Sequence, residues 1–278
     1  MWSDTALMLS VAKKSASELL LNLLTRSHGL RTCSLKLDRS DIQLLLPGCE
    51  LEITGKISGI AGLVDVQIND VAHGVTSERN DDPAILIVRH LNETITDMVP
   101  PNEPYQSLFS ASTCIVQAME IEDPRWPIHF VHWEIALLEA LGYMRRFRRC
   151  RSDYRHGEAI YISPRSGKVV SRQEAGAFLD RLRPVPSLLM GAQNGSLADV
   201  QRSLDLVTML LEEFVCPDLG TERLWDTRDQ ISELINDLDH IPGVQDARKP
   251  KRIDADERKR RLSAMRRLMV GCRKFAPV

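Results

Sequence analysis

Leu51-Glu52-Ile53-Thr54 and Val64-Asp65-Val66-Gln67-Ile68 alternate apolar and polar side chains residue by residue. Successive side chains of an extended strand point to opposite faces, so this period of two reads as strands with one face in a core and one in water. Outward from these stretches, Thr5 to Ala12 and Arg31 to Leu37 repeat the pattern, and the quoted strands extend over Glu50 to Ile57 and Leu63 to Ile68. Ser27-His28-Gly29, Pro47-Gly48 and Gly59 separate the strands as turns. The leucine run of Ser17 to Leu24 fits either a helical turn or a buried strand. With it counted, five short strands in the first 75 residues suit a small closed barrel of the OB-fold type.

Past residue 81 the period becomes helical. Asp82-Pro83 has the chemistry of an N-cap followed by the first helical position, and Ala84, Val88, Leu91, Ile95 and Met98 then share one face until Pro100-Pro101. Tyr105 to Met119 repeats the spacing with Leu108, Ser112, Ile115 and Met119. Ile128 to Leu141 is apolar nearly all round, the mark of a central, buried helix, and Gly142 suits the position just past its end. Ala159 to Ser163 and Lys168 to Val170 flank Pro164-Arg165-Ser166-Gly167, a short hairpin with a basic turn. Ser171-x-x-Glu174 and Ser196-x-x-Asp199 are capping boxes, the second opening a helix to Val215. Thr221 to Leu238 is a further amphipathic helix, closed by Ile241-Pro242-Gly243. The fold class is therefore α+β: an N-terminal small β-barrel (OB-fold) over residues 1–80, then an α-helical domain over 81–243 with an inserted short β-hairpin near 159–170. A basic C-terminal tail, 244–278, reads as a helix over Asp254 to Val270 or as a disordered extension.

A formal net charge of −2 over 278 residues excludes a uniformly basic nucleic-acid binder, but the charge is uneven. Met1 to Val75 holds seven Lys/Arg against eight Asp/Glu, whereas Arg145 to Arg172 holds nine against two and Arg248 to Lys274 twelve against three. The six cysteines are scattered without a C-x-x-C, which points to reduced, mostly buried thiols and to neither a disulfide framework nor a metal site. No apolar run approaches the roughly 18 residues of a membrane span. No charged n-region and cleavage site open the chain. A cytoplasmic protein without membrane partners is expected.

The densest charge is Arg145, Arg146, Arg148, Arg149 and Arg151. Guanidinium groups this close repel one another unless water or an anion lies between them, and a phosphate backbone is such an anion. Arg155, Arg165 and Lys168 extend the cluster, while Phe147 and Tyr154 interleave it with stacking faces or, alternatively, with core anchors. The competing reading is a solvated charge run. In the barrel, Lys36, Arg39 and Arg26 are the candidate DNA contacts, set against a single aromatic (Trp2) and an excess of acid. Catalytic motifs are lacking. His129-x-x-His132 with Glu134 has ligand spacing but no H-E-x-x-H, and Ser166-Gly167-Lys168 lacks the rest of a phosphate loop. We expect no enzyme, no cofactor and no metal.

Phe130-Val131-His132-Trp133-Glu134-Ile135-Ala136-Leu137-Leu138-Glu139-Ala140-Leu141-Gly142-Tyr143, followed by Tyr161-Ile162-Ser163-Pro164-Arg165-Ser166-Gly167-Lys168-Val169-Val170-Ser171, resembles the RecO family of bacterial recombination mediators. Trp2-Ser3-Asp4 and Thr25-Arg26-Ser27-His28-Gly29 carry the likeness into the barrel, so that it spans roughly residues 1 to 240. The resemblance implies a DNA-repair protein without catalytic turnover that binds single- and double-stranded DNA and anneals complementary strands. It also implies partners: RecR, the C-terminal tail of single-strand-binding protein (SSB) and, indirectly, RecA. Relatives often carry a four-cysteine zinc site where this chain has Cys150 alone, and a basic glycine-rich stretch where it has Ser34 to Asp41. An alternative within the same resemblance is an interaction scaffold that has lost direct DNA binding and acts through RecR-like and SSB-like partners.

Overall fold

Alternation does build the start of the chain, as far as residue 73. In the computed structural model, which describes residues 1–36, 45–57, 63–75, 82–144, 160–215 and 222–241, five strands close into a barrel. They are β1 (Trp2–Lys13), β2 (Glu18–Thr25), β3 (Gly29–Lys36), β4 (Glu50–Ile57) and β5 (Val64–His73), in the order β1-β2-β3-β5-β4. The parallel pairing of β3 with β5, Cys33 opposite Val64, is the seam that completes a five-stranded Greek-key barrel of the OB type. The ambiguous leucine run is strand β2, because its alternate residues Leu19, Leu21 and Leu23 enter the barrel core with Ala6, Met8, Leu51 and Ile53. Burial among these side chains pushes the Cys33 thiol up to about 12, against the pull of Arg31.

Ala6 to Leu9 on β1 are all buried, which alternation alone does not explain. Ala6 and Met8 belong to the barrel core. The strand's other face is covered by two helices, α1 (Pro83–Met98) and α2 (Gln106–Glu120), which both contact β1. The chain divides into two compact units after Asp123, so these helices fall with the barrel although the strands end near the expected boundary at residue 80. Asp82 caps α1 as read from sequence, its carboxylate accepting the Ala84 N–H at 2.9 Å, with Pro83 at the first helical position. Cys33 and Cys49 are buried, whereas Cys114 lies exposed on α2.

The two barrel motifs, Trp2-Ser3-Asp4 and Thr25 to Gly29, meet in space. Asp4 accepts the Ser27 N–H at 2.9 Å, His28 Nδ1 at 2.7 Å and the Thr5 N–H at 3.0 Å, with its side chain 3% exposed. Trp2 stacks on His28 with centroids 4.0 Å apart. The indole also lies against Gly55, where an added Cβ would stand 2.5 Å from the ring. Gly29 has φ +74°, and a Cβ there would meet the Glu103 carbonyl oxygen at 1.9 Å, so glycine alone lets the α1–α2 connection lie against the barrel.

The second unit is built around α3 (Trp126–Ala140), buried on most sides as its composition predicts. Its end is a Schellman motif: Tyr143 N–H donates to Leu138 O, Gly142 N–H donates to Glu139 O, and Gly142 has φ +87°. Strands β6 (Ile160–Ile162) and β7 (Val169–Ser171) form the expected hairpin, and β8 (Arg183–Pro184) adds a third strand beside β6. Ser171 and Glu174 make both bonds of a capping box, yet the helix they open, α4 (Arg172–Ala175), lasts one turn. Gly176, at φ +48°, redirects the chain into a 3₁₀ segment, Gly176–Arg181. The second capping box opens α5 (Leu197–Leu210), which runs into a π-turn at Leu211–Val215, and α6 (Glu222–Asn236) follows. Among the described residues no helix is long and apolar enough to cross a membrane.

Replacing the buried Asp4 by alanine removes the acceptor of four donors, the Thr5 and Ser27 N–H groups, the Ser27 hydroxyl and His28 Nδ1, and we expect it to lower stability by about 2–4 kcal/mol in urea unfolding. Ser3→Ala next to it, on an exposed hydroxyl, should stay within about 0.5 kcal/mol.

Candidate nucleic-acid interface

Of the cations singled out from the sequence, Arg39, Arg145, Arg146, Arg148, Arg149, Arg151 and Arg155 lie outside the described residues, as does the basic tail. Arg165 and Lys168 are described and exposed. They occupy one turn, closed by Gly167 N–H to Ser163 O and Ser163 N–H to Lys168 O, both at 2.9 Å, with Gly167 at φ +60°. A loop this tight and pinned at both ends holds the two cations a few residues apart on one projecting edge. Among the described residues, neither is engaged in an ion pair.

The barrel candidates are arranged differently. Arg26 stands at the β2–β3 turn, with its guanidinium 5.8 Å from the centroid of the buried Phe109 ring. Lys36 is at the far end of β3, across from Glu18, which itself pairs with Lys14 at 3.0 Å. The full length of an eight-residue strand separates Arg26 from Lys36, about 26 Å at 3.3 Å per residue. They do not converge on one groove. Trp2, the barrel's one aromatic, is half-buried, stacked on His28 and packed against Gly55, which leaves less ring for a base.

Two members of the metal-like constellation on α3 are engaged by other partners. His132 Nε2 donates to Ala192 O at 3.0 Å, and burial holds the imidazole below its usual value despite that bond, so the ring is neutral near pH 7. Glu134 accepts Arg228 Nε at 2.6 Å and Nη2 at 3.3 Å. Among the described residues no group of three His, Cys, Asp or Glu is placed to hold a metal ion.

Three side chains near the hairpin were not picked out from sequence: Arg181, Arg183 and the 63%-exposed Phe178. Their signal was present in Phe178-Leu179-Asp180-Arg181-Leu182-Arg183, an aromatic three residues before an arginine and two arginines at strand spacing. Charge density alone passes over it, because it falls beyond the arginine-rich stretch.

Comparison with known proteins agrees with the fold. The family model described as "Recombination protein O C terminal" matches residues 79–222, more than half of the 278-residue chain. The chain is 24% identical over 237 residues to the "DNA repair protein RecO" of Roseobacter denitrificans, covering 84% of this chain and 98% of that protein. It is 26% identical to the protein of the same name from Cereibacter sphaeroides (84% and 98% covered) and 26% to that of Caulobacter vibrioides (81% and 95%).

Two outcomes test the α3 assignments. Glu134→Ala leaves a buried guanidinium without its carboxylate, and thermal or urea unfolding should show a loss of about 3–5 kcal/mol, whereas Glu134→Leu with Arg228→Met should recover most of it. His132 has a folded-state value below the 6.5 of the unfolded chain, so its stabilising share is complete above that pH and is lost as pH falls beneath it. His132→Gln should accordingly flatten the stability profile on the acid side of pH 6.5.

Proposed function

The chain belongs to the recombination protein O (RecO) family, and on that premise we propose that it serves DNA repair as a non-enzymatic mediator. It binds single- and double-stranded DNA through phosphate contacts, promotes annealing of complementary strands and assists loading of a RecA-type recombinase onto SSB-coated DNA. RecR and the acidic C-terminal tail of SSB are its protein partners, and no cofactor takes part. The observation that carries this reading is the exposed pair Arg165 and Lys168, fixed on one turn and engaged in no ion pair among the described residues. Unneutralised cations held outward by a rigid turn suit a ligand that is itself a polyanion. They contact phosphates and not base edges, so no sequence preference is expected. Annealing then needs no general base, since offsetting the repulsion between two phosphate backbones lowers the barrier to pairing.

A second reading has its own support. The barrel is acidic by one formal charge, and its single aromatic is packed internally, which favours an interaction scaffold working through RecR-like and SSB-like partners. It requires partner capture by a purified protein that retains no DNA.

Binding of the purified chain to single-stranded and duplex DNA across a salt series separates the two. Each phosphate contact adds about 0.9 to the slope of log K against log salt on duplex. Arg165→Ala with Lys168→Ala should therefore make the slope shallower by about 2. Alanine at Arg145, Arg146, Arg148 and Arg149 together should remove most affinity at moderate salt. Unchanged affinity in both variants would sink the DNA-binding reading and leave the scaffold.

A further inference from the structure

The hairpin turn is not the whole of the cationic surface at that end of the small sheet. Ile162, the last residue of β6, is paired with Val169 of β7 on one side and Arg183 of β8 on the other. Both pairings are antiparallel, so β8 begins where β6 ends. The 3₁₀ segment Gly176–Arg181 that feeds β8 must therefore arrive at the turn end of the sheet. Topology thus gathers Arg165, Lys168, Arg181 and Arg183 at one end, and all four are exposed. Among the described residues none of them is in an ion pair. Against them stand Glu174, whose carboxylate accepts the Ser171 N–H of the capping box, and Asp180.

Phe178 lies in the same segment. It is one of three large apolar side chains exposed among the described residues, and the aromatic one. Met1 is a chain end and Val11 barely passes into the exposed class at 37%, but Phe178 keeps 63% of its surface in water. The Arg181 guanidinium stands 6.0 Å from the ring centroid and leaves most of the ring open. An aromatic held in solvent next to cations that make no ion pair among the described residues is the combination with which proteins grip single strands: cations follow the phosphates and a ring receives a base.

We propose that Phe178, flanked by Arg181 and Arg183, is a stacking subsite for an unpaired base of single-stranded DNA whose phosphates run along Arg165 and Lys168. The inference rests on the DNA-binding reading above and adds a preference for strand state. Bases within a duplex are already stacked on their neighbours and offer no face, whereas unpaired bases do. The site therefore distinguishes single strands from duplex without reading sequence.

Fluorescence anisotropy with the full chain decides it, using a labelled oligothymidylate of about 20 nucleotides and a duplex of equal length. Phe178→Ala and Phe178→Leu should each weaken oligothymidylate binding about ten-fold while duplex affinity stays within about two-fold. Leucine keeps the apolar bulk and lacks the π face, so a leucine variant that binds normally overturns stacking in favour of simple apolar contact. Phe178→Trp should retain affinity and show more tryptophan quenching by oligothymidylate than the parent chain. Equal losses on both DNAs overturn the proposal, as does a loss confined to an acidic peptide. Normal oligothymidylate binding by Phe178→Ala, with Arg165→Ala and Lys168→Ala still impaired, overturns the stacking subsite and leaves the DNA-binding reading intact. A parent chain that binds neither DNA overturns both.

Discussion

The second unit depends on a guanidinium out of water. Arg228, 3% exposed, donates from α6 to both oxygens of Glu134 on α3, to the Thr208 hydroxyl and to the Leu204 carbonyl on α5. A charge in such a place costs several kcal/mol to desolvate and is tolerated only when its partners are complete and well aimed. Completing them requires three helices at one mutual setting. The Trp225 ring, with its centroid 5.8 Å from the guanidinium carbon, adds a fourth side to the enclosure. Apolar packing alone would hold α3, α5 and α6 together, but it would tolerate sliding, which directional bonds to one planar group do not. The same bonds take Glu134 out of any metal chemistry that its spacing from the two histidines suggests.

The first unit uses a carboxylate in an analogous way. Asp4 gathers the backbone and side chains of the β2–β3 turn, and that turn carries His28, which in turn holds Trp2 over Gly55. The barrel's aromatic and one of its polar clusters are therefore committed to closing the barrel. The two cations singled out there, Arg26 and Lys36, are exposed but split between the two ends of one strand. At the small sheet the opposite holds. Short strands leave their turn and edge residues in water, and the cations at that end lack internal carboxylate partners among the described residues. The contrast follows from how much of each element's polar chemistry the fold itself consumes.

Much of this was legible in the sequence where the signal is local. Asp82-Pro83, Ser171-x-x-Glu174, Ser196-x-x-Asp199 and Gly142 each act through bonds to residues within four positions, so spacing suffices to read them. Alternation marked β1 and β3 to β5, but in Ser17 to Leu24 leucines occupy both faces and the period vanished; pairing with β1 and β3 decided it. The length of α4 was illegible too, because a capping box fixes where a helix starts and Gly176 ended it one turn later. In the candidate site, Arg165 and Lys168 were readable as cations of one turn. Phe178, Arg181 and Arg183 left only a faint local signal, and what brings them to the hairpin is the pairing of the two-residue β8 with β6, which no local pattern announces.

The sequence by itself determined the class of fold, the caps and turns, and the uneven charge, because each rests on spacing or composition within one stretch of chain. The tertiary structure decided which polar groups are spent inside and which are left for a partner. Glu134 and Arg228 are 94 positions apart, and Asp4 and His28 are 24. No local pattern pairs them, because burial of a charge depends on what the rest of the chain brings to it.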